Sequence, residues 1–427
     1  MFDIVADLKW RGLIHQTTDD ERLPGWLTSG RRTLYAGFDP TADSLHVGTL
    51  IPLLMLRRFQ QAGHRPIAVV GGATGMIGDP SGKSKERNLL SVDEIRANVA
   101  GIRGQMQRLL DFDCGDSSAL LVNNYDWMQR FSYLEFLRDV GKHVPVRSMQ
   151  AKDSVKSRLE RDDVGISYTE FSYMLLQAYD FVHLNQQYGC ELQIGGSDQW
   201  GNITAGIDLA RRLRSVQLYG ITCPLLTNSD GSKMGKTEAG TVWLAAEKTS
   251  PFQFYQYWIQ VDDADVSNCL RMLTELSREE IESLDRARAD AAHEKDSQRR
   301  LAEELTRLIH GEAGLAAARE ATEKLFNRKL DEMDELQLEE IFADVPSQTI
   351  ARNRLEGEGL PLIDAVAESG LAKSKSEARR KISEGAVYVN DQREASIDRK
   401  LTVVDLGGKS ILVLRLGKKH RALLRFE

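Results

Sequence analysis

The sequence predicts an α/β protein: a mostly parallel sheet wrapped by helices, followed by an all-α stretch and a small α+β module. Three observations carry this. As far as Leu226, short β-rich runs alternate with helical patterns, the signature of strands joined by crossover helices. From Phe252 to Ala343 there is no proline, glycine occurs only at Gly311 and Gly314, and apolar residues recur at helical intervals, as in Leu301, Leu305, Leu308 and Ile309. From Leu360 the chain changes character again, to short helices and alternating strands with a basic balance.

In chain order, the strand candidates of the first part are Leu34–Phe38, Ile67–Gly71, Leu120–Asn123, Leu192–Gly195 and Ile221–Leu226. Helical patterns lie between them at Leu50–Gln61, Val92–Leu110, Tyr133–Gly141, Thr169–Asn185 and Asp198–Leu213. Three of these strands run into glycine-rich turns, at Gly37, at Gly71-Gly72 and at Gly195-Gly196. Ligands of parallel sheets bind at the carboxyl ends of strands, so one pocket fed by three turns is expected. Pro346 to Gly359, with Ser, Asn, two glycines and several charges, reads as a linker. In the last module Ser374 and Glu377 form a capping-box pattern opening a helix. Ala386–Val389 alternates as a strand, Asn390-Asp391 gives a turn, and Ile411–Leu416 with Arg421–Phe426 flank a basic hairpin tip, Gly417-Lys418-Lys419. The expected divisions are 1–227, 228–345, a linker at 346–359, and 360–427.

A chain of 427 residues is too long for one compact core. Its residues are 41% apolar, mean hydropathy is −0.37, and no apolar run approaches bilayer-spanning length. The N-terminus shows no basic region followed by a long apolar one, so no secretion signal is expected. Cys114, Cys190, Cys223 and Cys269 are scattered without metal-ligand spacing, which fits a reducing, cytoplasmic location. The net charge of −7 hides an asymmetry. From Leu360 to Glu427 there are 14 Lys+Arg against 9 Asp+Glu, whereas the remainder has 42 against 54. A basic terminal module on an acidic body points to a polyanionic partner at that end.

Two loops carry chemistry. The first, Phe38 to Thr49, joins a strand to a helix through Asp39, Pro40, Thr41, Ser44, His46 and Gly48. A helix start gathers unpaired N–H groups and positive dipole, which suits phosphate. The second, Asp230 to Thr237, carries Lys233 and Lys236 among glycines and reads as a flexible clamp for phosphates whose charge shifts during reaction. In the helix between them, Tyr173, Gln177 and Asp180 share one face. That face has no Lys or Glu, so it reads as facing a pocket.

Together His46-Val47-Gly48-Thr49 and Lys233-Met234-Gly235-Lys236-Thr237 resemble the two signature motifs of class I aminoacyl-tRNA synthetases. Tyr35 through His46, Gly71 through Pro80, Asn123 through Trp127 and Gln193 through Asn202 resemble the bacterial tyrosyl-tRNA synthetases. The resemblance covers nearly the whole chain, and the tail resembles that family's S4-type RNA-binding domain. It implies a Rossmann-like catalytic domain, a helical domain and an S4-like domain. It implies L-tyrosine, ATP with Mg²⁺, and tRNA(Tyr) as partners, a homodimer with Phe131 to Val146 as candidate interface, and neither a protein metal site nor a tightly bound cofactor.

The resemblance also implies roles. Tyr35, Asp79, Tyr173, Gln177, Asp180 and Gln193 would bind tyrosine, its phenol between Asp180 and Tyr35 and its amino group near Asp79, Tyr173 and Gln177. Gly37, Asp39, His46, Gly48, Thr49, Asp198, Gln199 and Lys236 would bind ATP. Thr41, His46, Lys233, Lys236 and Thr237, with Lys83 and Arg87, would stabilise the departing pyrophosphate. Lys373, Lys375, Arg379, Arg380, Lys381, Lys418 and Lys419 would meet tRNA phosphates. Thr49 departs from the family pattern, which usually has a second histidine there, so weaker nucleotide binding is expected of it. Two rivals stand beside this reading: a tryptophanyl-tRNA synthetase, and a binding-only RNA factor on the same scaffold. Asp180 beside Tyr35 argues against the first and the intact phosphate-handling set against the second.

Overall fold

The computed structural model describes residues 2–81, 90–159, 165–237, 240–291, 294–326, 330, 333–342, 345–417 and 420–427. Lys83, Arg87, Lys418 and Lys419 lie outside the described residues.

The first part runs α1 (Ile4–Trp10), β1 (Gln16–Thr17), α2 (Arg22–Thr28), β2 (Thr33–Phe38), α3 (Leu50–Gln61), β3 (Arg65–Val70), α4 (Thr74–Ile77), α5 (Val92–Leu109) and β4 (Leu120–Asn123). It continues through α6 (Tyr125–Met128), α7 (Tyr133–Asp139), α8 (Val146–Gln150), α9 (Asp153–Leu159), α10 (Tyr168–Tyr188), β5 (Cys190–Gly196), α11 (Trp200–Arg214) and β6 (Tyr219–Cys223). Strand order is β1-β6-β5-β2-β3-β4. Every pairing is parallel except that of β1 with β6.

The chain lays β3 and β4 to one side of β2, then returns to lay β5 and β6 on the other. The order reverses between β2 and β5, and at such a switch point a crevice opens beyond the strands' carboxyl ends. Strands β2, β3 and β6 are largely buried and mostly apolar, as in a parallel sheet covered on both faces, while β5 carries Glu191 and Gln193 among its apolar residues. Helix α3 follows its expected span, and nine of its twelve residues are buried, so it packs on more than the sheet. Arg58 on α3 donates to Thr274 O, and Arg11 on α1 donates to Arg271 O, Thr274 O and Leu276 O.

Those carbonyls lie at and just beyond the end of the helix Asp263–Leu273. After β6 the chain forms the small hairpin β7 (Lys236–Thr237) and β8 (Gly240–Thr241), then α12 (Pro251–Ile259), α13 (Asp263–Leu273), α14 (Arg278–Ala291) and α15 (Asp296–Phe326). Helical backbone breaks inside α15 at Gly311, where φ is +74°. Two compact units result: residues 1–249 with 259–309, and residues 250–258 with 310–427. The self-contained helical domain expected over 228–345 is therefore corrected. Its α13, α14 and the first half of α15 belong to the first unit, because Arg11 and Arg58 cap the end of α13 from α1 and α3.

The second unit ends in α16 (Glu335–Ile341), β9 (Ser347–Ile350), β10 (Leu360–Pro361), α17 (Leu362–Glu368), α18 (Lys375–Ser383), β11 (Val387–Val389), β12 (Gln392–Glu394), β13 (Lys400–Leu401), β14 (Ile411–Leu416) and β15 (His420–Phe426). Its sheet has the order β12-β11-β14-β15-β9. Asn390 and Asp391 make the β11–β12 turn with φ of +47° and +61°. The Ser374–Glu377 box is half formed: Ser374 accepts from Glu377 N, but the Glu377 carboxylate accepts from Lys373 N–H instead. The linker expected at 346–359 is also corrected. β9 pairs parallel with β15 from Ser347 to Ile350, and Ile350 and Leu355 are buried in the terminal core with Leu362, Val387 and Leu424.

This correction can be tested by Leu355→Ala. In a linker the change would be neutral, but at this buried site it should cost about 2–5 kcal/mol. Chemical denaturation followed by a probe in the terminal module measures the difference.

Candidate active site

At the switch point a cavity of about 260 Å³ is lined by side chains from the ends of β2, β3, β4 and β5 and from α10. Tyr35, Gly37, Asp39, Asp79, Tyr173, Gln177, Asp180, Asp198, Gln199 and Lys233 all line it. The sequence picked these out from five separate stretches, and the fold brings them together.

Four of the lining residues are aspartates, and three hold at least two polar partners each. Asp39 accepts from Thr74 Oγ1 at 2.8 Å and from the Tyr173 hydroxyl at 3.0 Å. Asp79 accepts from Gln199 Nε2 at 2.6 Å and from Ser81 N at 2.9 Å. Asp180 accepts from Trp127 Nε1 at 2.8 Å and from Asn124 Nδ2 at 3.0 Å. Hydrogen bonds to a carboxylate favour its charged form, and burial opposes it. For Asp180 burial wins: its pKa is pushed up to about 7, against the pull of Asn124 and Trp127. Asp198 is likewise raised, first by burial and then by Asp79, with Lys233 pulling it back. Tyr35 and Tyr173 are raised well above the usual phenol range by burial and then by Asp180 and Asp39 respectively.

Amides knit the floor of the cavity. Asn202 Nδ2 donates to Gln177 Oε1 and Gln199 Oε1, both at 3.1 Å, and Gln177 Nε2 donates to Gln199 Oε1 at 3.2 Å. Against this satisfied network two buried atoms have no partner in the structure: the Tyr35 hydroxyl and Gln193 Oε1. They sit on β2 and β5 at positions paired in register. A buried unpaired polar group costs about 1–3 kcal/mol, and of these two residues Tyr35 lines the cavity.

The remaining predicted residues stand outside the cavity lining. Thr41 is exposed, its backbone N–H donating to Asp39 O at 2.9 Å. His46 caps the 3₁₀ turn Val47–Thr49 that leads into α3: its Nδ1 accepts from Gly48 N at 3.0 Å, so a neutral ring carries its hydrogen on Nε2. The Thr49 hydroxyl donates to His46 O at 2.6 Å. In the unliganded chain that hydrogen is therefore used by the loop's own backbone. A Cβ on Gly48 would lie 2.9 Å from the His46 ring, so this corner has no room for a side chain.

The lysine loop also differs from expectation. Lys233, Lys236 and Thr237 are exposed, but Met234 and Gly235 between them are buried. Met234 N donates to Leu226 O at 3.0 Å, and Met234 Sδ lies 3.7 Å from Cys269 Sγ on α13. The loop is pinned at its middle while its lysines reach out. Gly235 has φ of +81°, and a Cβ there would lie 2.9 Å from Val47 Cβ. The two signature loops are thus in direct contact.

Sequence reasoning missed Thr74, Ser81, Asn124, Trp127 and Asn202. Asn124 follows the end of β4, where the strand-end rule points as it does elsewhere, but this turn has no glycine to draw notice. In the second unit Lys373, Lys375, Arg379 and Arg380 are exposed at α18. Three of the expected cations have acidic partners: Lys375 with Asp364 at 2.8 Å, Lys381 with Glu384 at 3.6 Å and Arg380 with Glu384 at 3.9 Å.

A family model described as class I tRNA synthetases (W and Y) matches residues 28–327. A second, described as the SYY-like C-terminal domain of tyrosine–tRNA ligase, matches residues 337–424. The chain belongs to the class I tRNA synthetases of the tryptophan and tyrosine group, a family of enzymes. Within that group its relatives are specific. The tyrosine–tRNA ligase of Rhodopirellula baltica is 58% identical over 424 residues, 99% of this chain and 96% of that protein. That of Roseiflexus castenholzii is 53% identical over 425 residues, 100% of both chains. Among solved structures, a C-terminally truncated mitochondrial tyrosyl-tRNA synthetase of Aspergillus nidulans is 32% identical with a TM-score of 0.68, covering 76% of this chain and 94% of that one.

Gly235→Ala tests the contact between loops. It forces a side chain into left-handed backbone, at about 1–2 kcal/mol, and into Val47. The expected outcome is a slower ATP–pyrophosphate exchange with little change in amino-acid binding, measured by exchange kinetics and equilibrium titration.

Proposed function

We propose that this chain is a tyrosine–tRNA ligase, activating L-tyrosine with ATP to tyrosyl adenylate and pyrophosphate and passing the tyrosyl group to the 3′ end of tRNA(Tyr). The observation that supports it most is the pairing, in one cavity, of the buried Asp180 carboxylate with the partnerless Tyr35 hydroxyl. Tyr35 offers a donor and Asp180 accepts, so the group that suits both must accept and donate. A phenol hydroxyl does this. An indole N–H only donates and a phenylalanine ring does neither, which weighs against tryptophan and phenylalanine.

With the phenol there, Asp79, Tyr173 and Gln177 surround the substrate's ammonium group, and Gln193 offers its unpaired oxygen. The substrate carboxylate is already ionised at neutral pH and attacks the α-phosphate of ATP directly, so no general base is needed. The bond from the α-phosphorus to the bridging oxygen breaks, and pyrophosphate leaves with the electron pair. Gly37, Asp39, Gly48, Asp198 and Gln199 hold the nucleoside. Thr41, His46, Lys233, Lys236 and Thr237, with Lys83 and Arg87, stabilise charge on the leaving phosphates, the term on which such transfers depend most. Mg²⁺ enters with ATP as part of that substrate.

The location is cytoplasmic and the working form a homodimer. Tyr133, Leu134, Val146 and Tyr168 are large side chains left 63%, 76%, 58% and 60% exposed in the single chain, and the Tyr133 and Tyr168 hydroxyls lie 3.2 Å apart. An exposed group of this kind suits a partner copy. Lys373, Lys375, Arg379, Arg380 and Lys381, with Lys418 and Lys419, contact tRNA phosphates.

Tyrosine-dependent ATP–pyrophosphate exchange tests the assignment; dependence on tryptophan, or no exchange, would overturn it. A pH series tests the site. Asp180 in the unliganded protein holds its proton up to about pH 7. The phenol donates to the ionised form, so binding pulls the pKa down and releases a proton. Tyrosine affinity should therefore fall as pH drops below about 7, by up to about tenfold per unit. In Asp180→Asn this dependence should vanish along with most of the affinity. The same shift predicts stability: the raised pKa means that ionising Asp180 weakens the unliganded fold. That penalty is absent below the ordinary carboxylate range and grows as pH rises to about 7, as thermal melts of wild type and variant would show.

A further inference from the structure

The first signature loop is held by one face of α5. Asn98 Nδ2 donates to Pro40 O at 2.9 Å. A Cβ on Gly101 would sit 2.0 Å from Asp43 O, so the helix touches the loop with bare backbone. Gln105 Oε1 accepts from Leu45 N at 2.8 Å while its Nε2 donates to Ser44 Oγ at 2.9 Å. The spacings of three and four put all three residues on one helical face.

Ser44 makes this more than a local clasp. It is buried, 4% exposed, and its hydroxyl donates to Leu45 O at 2.7 Å while accepting from Gln105 and from Ala245 N at 3.1 Å. Ala245 belongs to the stretch after the lysine loop. In that stretch Leu244 N donates to Leu45 O at 2.9 Å, Val47 N donates to Val242 O at 3.0 Å, and Val242 N donates to Gly235 O at 2.9 Å. The Lys248 ammonium also meets Asp43 at 2.8 Å. One amide on α5 is therefore two hydrogen bonds from the stretch that follows the second signature loop and bonds to it.

We infer that Gln105 is a positioning residue for adenylate formation: through Ser44 it sets the register between the two phosphate-handling loops without touching substrate. This rests on the proposed reading of the site as an adenylation centre. Gln105 stands apart from the cavity lined by Tyr35, Asp79, Tyr173 and Asp180, so the tyrosine subsite does not depend on it. Its loss removes a restraint on where His46 and the lysines stand when charge builds on the leaving pyrophosphate, and misplacement of about 1 Å costs about 10²-fold in rate.

The test uses the full-length protein and the variants Gln105→Leu, Gln105→Glu and Ser44→Ala. Gln105→Leu keeps the volume and removes both hydrogen bonds. Gln105→Glu keeps the acceptor for Leu45 N–H and loses the donor to Ser44. Four quantities are measured: kcat and KM for ATP in tyrosine-dependent pyrophosphate exchange, the tyrosine dissociation constant without ATP, and thermal stability. The inference expects exchange to fall tenfold or more in Gln105→Leu and less in Gln105→Glu, with tyrosine binding within about twofold of wild type. It also expects Gln105→Leu and Ser44→Ala combined to cost no more than the worse single change. Unchanged exchange in Gln105→Leu overturns it. So does parallel loss of exchange, tyrosine binding and stability, which marks a residue needed only for folding. Should Gln105→Leu fail to fold, Gln105→Glu and Ser44→Ala decide by the same split. Absence of tyrosine-dependent exchange in the wild-type chain overturns the underlying reading instead, and the inference with it.

Discussion

The site depends on a short stretch of backbone, Val242 to Ala245, that hydrogen-bonds to both signature loops. It bonds to Ser44, Leu45 and Val47 of the first loop and to Gly235 of the second. The two loops are far apart in the chain, and neither is a regular element that could hold its place by periodic bonding. A backbone bridge fixes their separation without placing any extra side chain in the ligand's path. Phosphate chemistry needs this, because stabilising a departing charge is a matter of fixed distances more than of special groups. The burial of Met234 serves the same end: an anchored midpoint leaves two exposed lysines with a defined reach.

The cavity beside the bridge solves a different problem. Four aspartates share one small volume, which brings like charges close together. The fold answers with neutral donors: Thr74, Tyr173, Gln199, Asn202, Asn124 and Trp127 donate to three of the four carboxylates without adding charge. Asp180 is the exception in degree, since burial outweighs its two donors and leaves it poised near neutrality. A poised carboxylate favours a ligand that brings a hydrogen of its own. Specificity for a hydroxyl and strain in the unliganded site thus share one cause.

How much of this was legible in the sequence varies with what each feature depends on. Strands β2, β3 and β6 were readable because burial makes them short, largely apolar runs, and α3 because its pattern begins at a glycine-bearing turn and ends cleanly. The face Tyr173–Gln177–Asp180 was readable because a helix has a fixed period. β9 was not, since a parallel edge strand with only Ile350 buried has no alternation to show. Neither were β1, two residues long, nor the assignment of α13 to the first unit, which depends on where two arginines meet one helix end. Asn124 and Trp127 lay inside a stretch that resembled the family, yet their bonds to Asp180 cross more than fifty positions of chain and have no local signature.

The same contrast explains why the two signature loops were recognised while the clasp behind them was not. Residues that touch a ligand are constrained in type by its chemistry, so a histidine, two lysines and an aspartate stand out in any reading. A residue that holds a loop is constrained only by the loop's backbone, and Asn, Gly and Gln at helical spacing look like an ordinary polar face. Gly101 is the one member whose identity the structure forces, because any larger side chain would displace Asp43 O. A glycine in mid-helix costs about 1 kcal/mol against alanine, and its presence is explained when the helix must approach a catalytic loop more closely than a side chain allows.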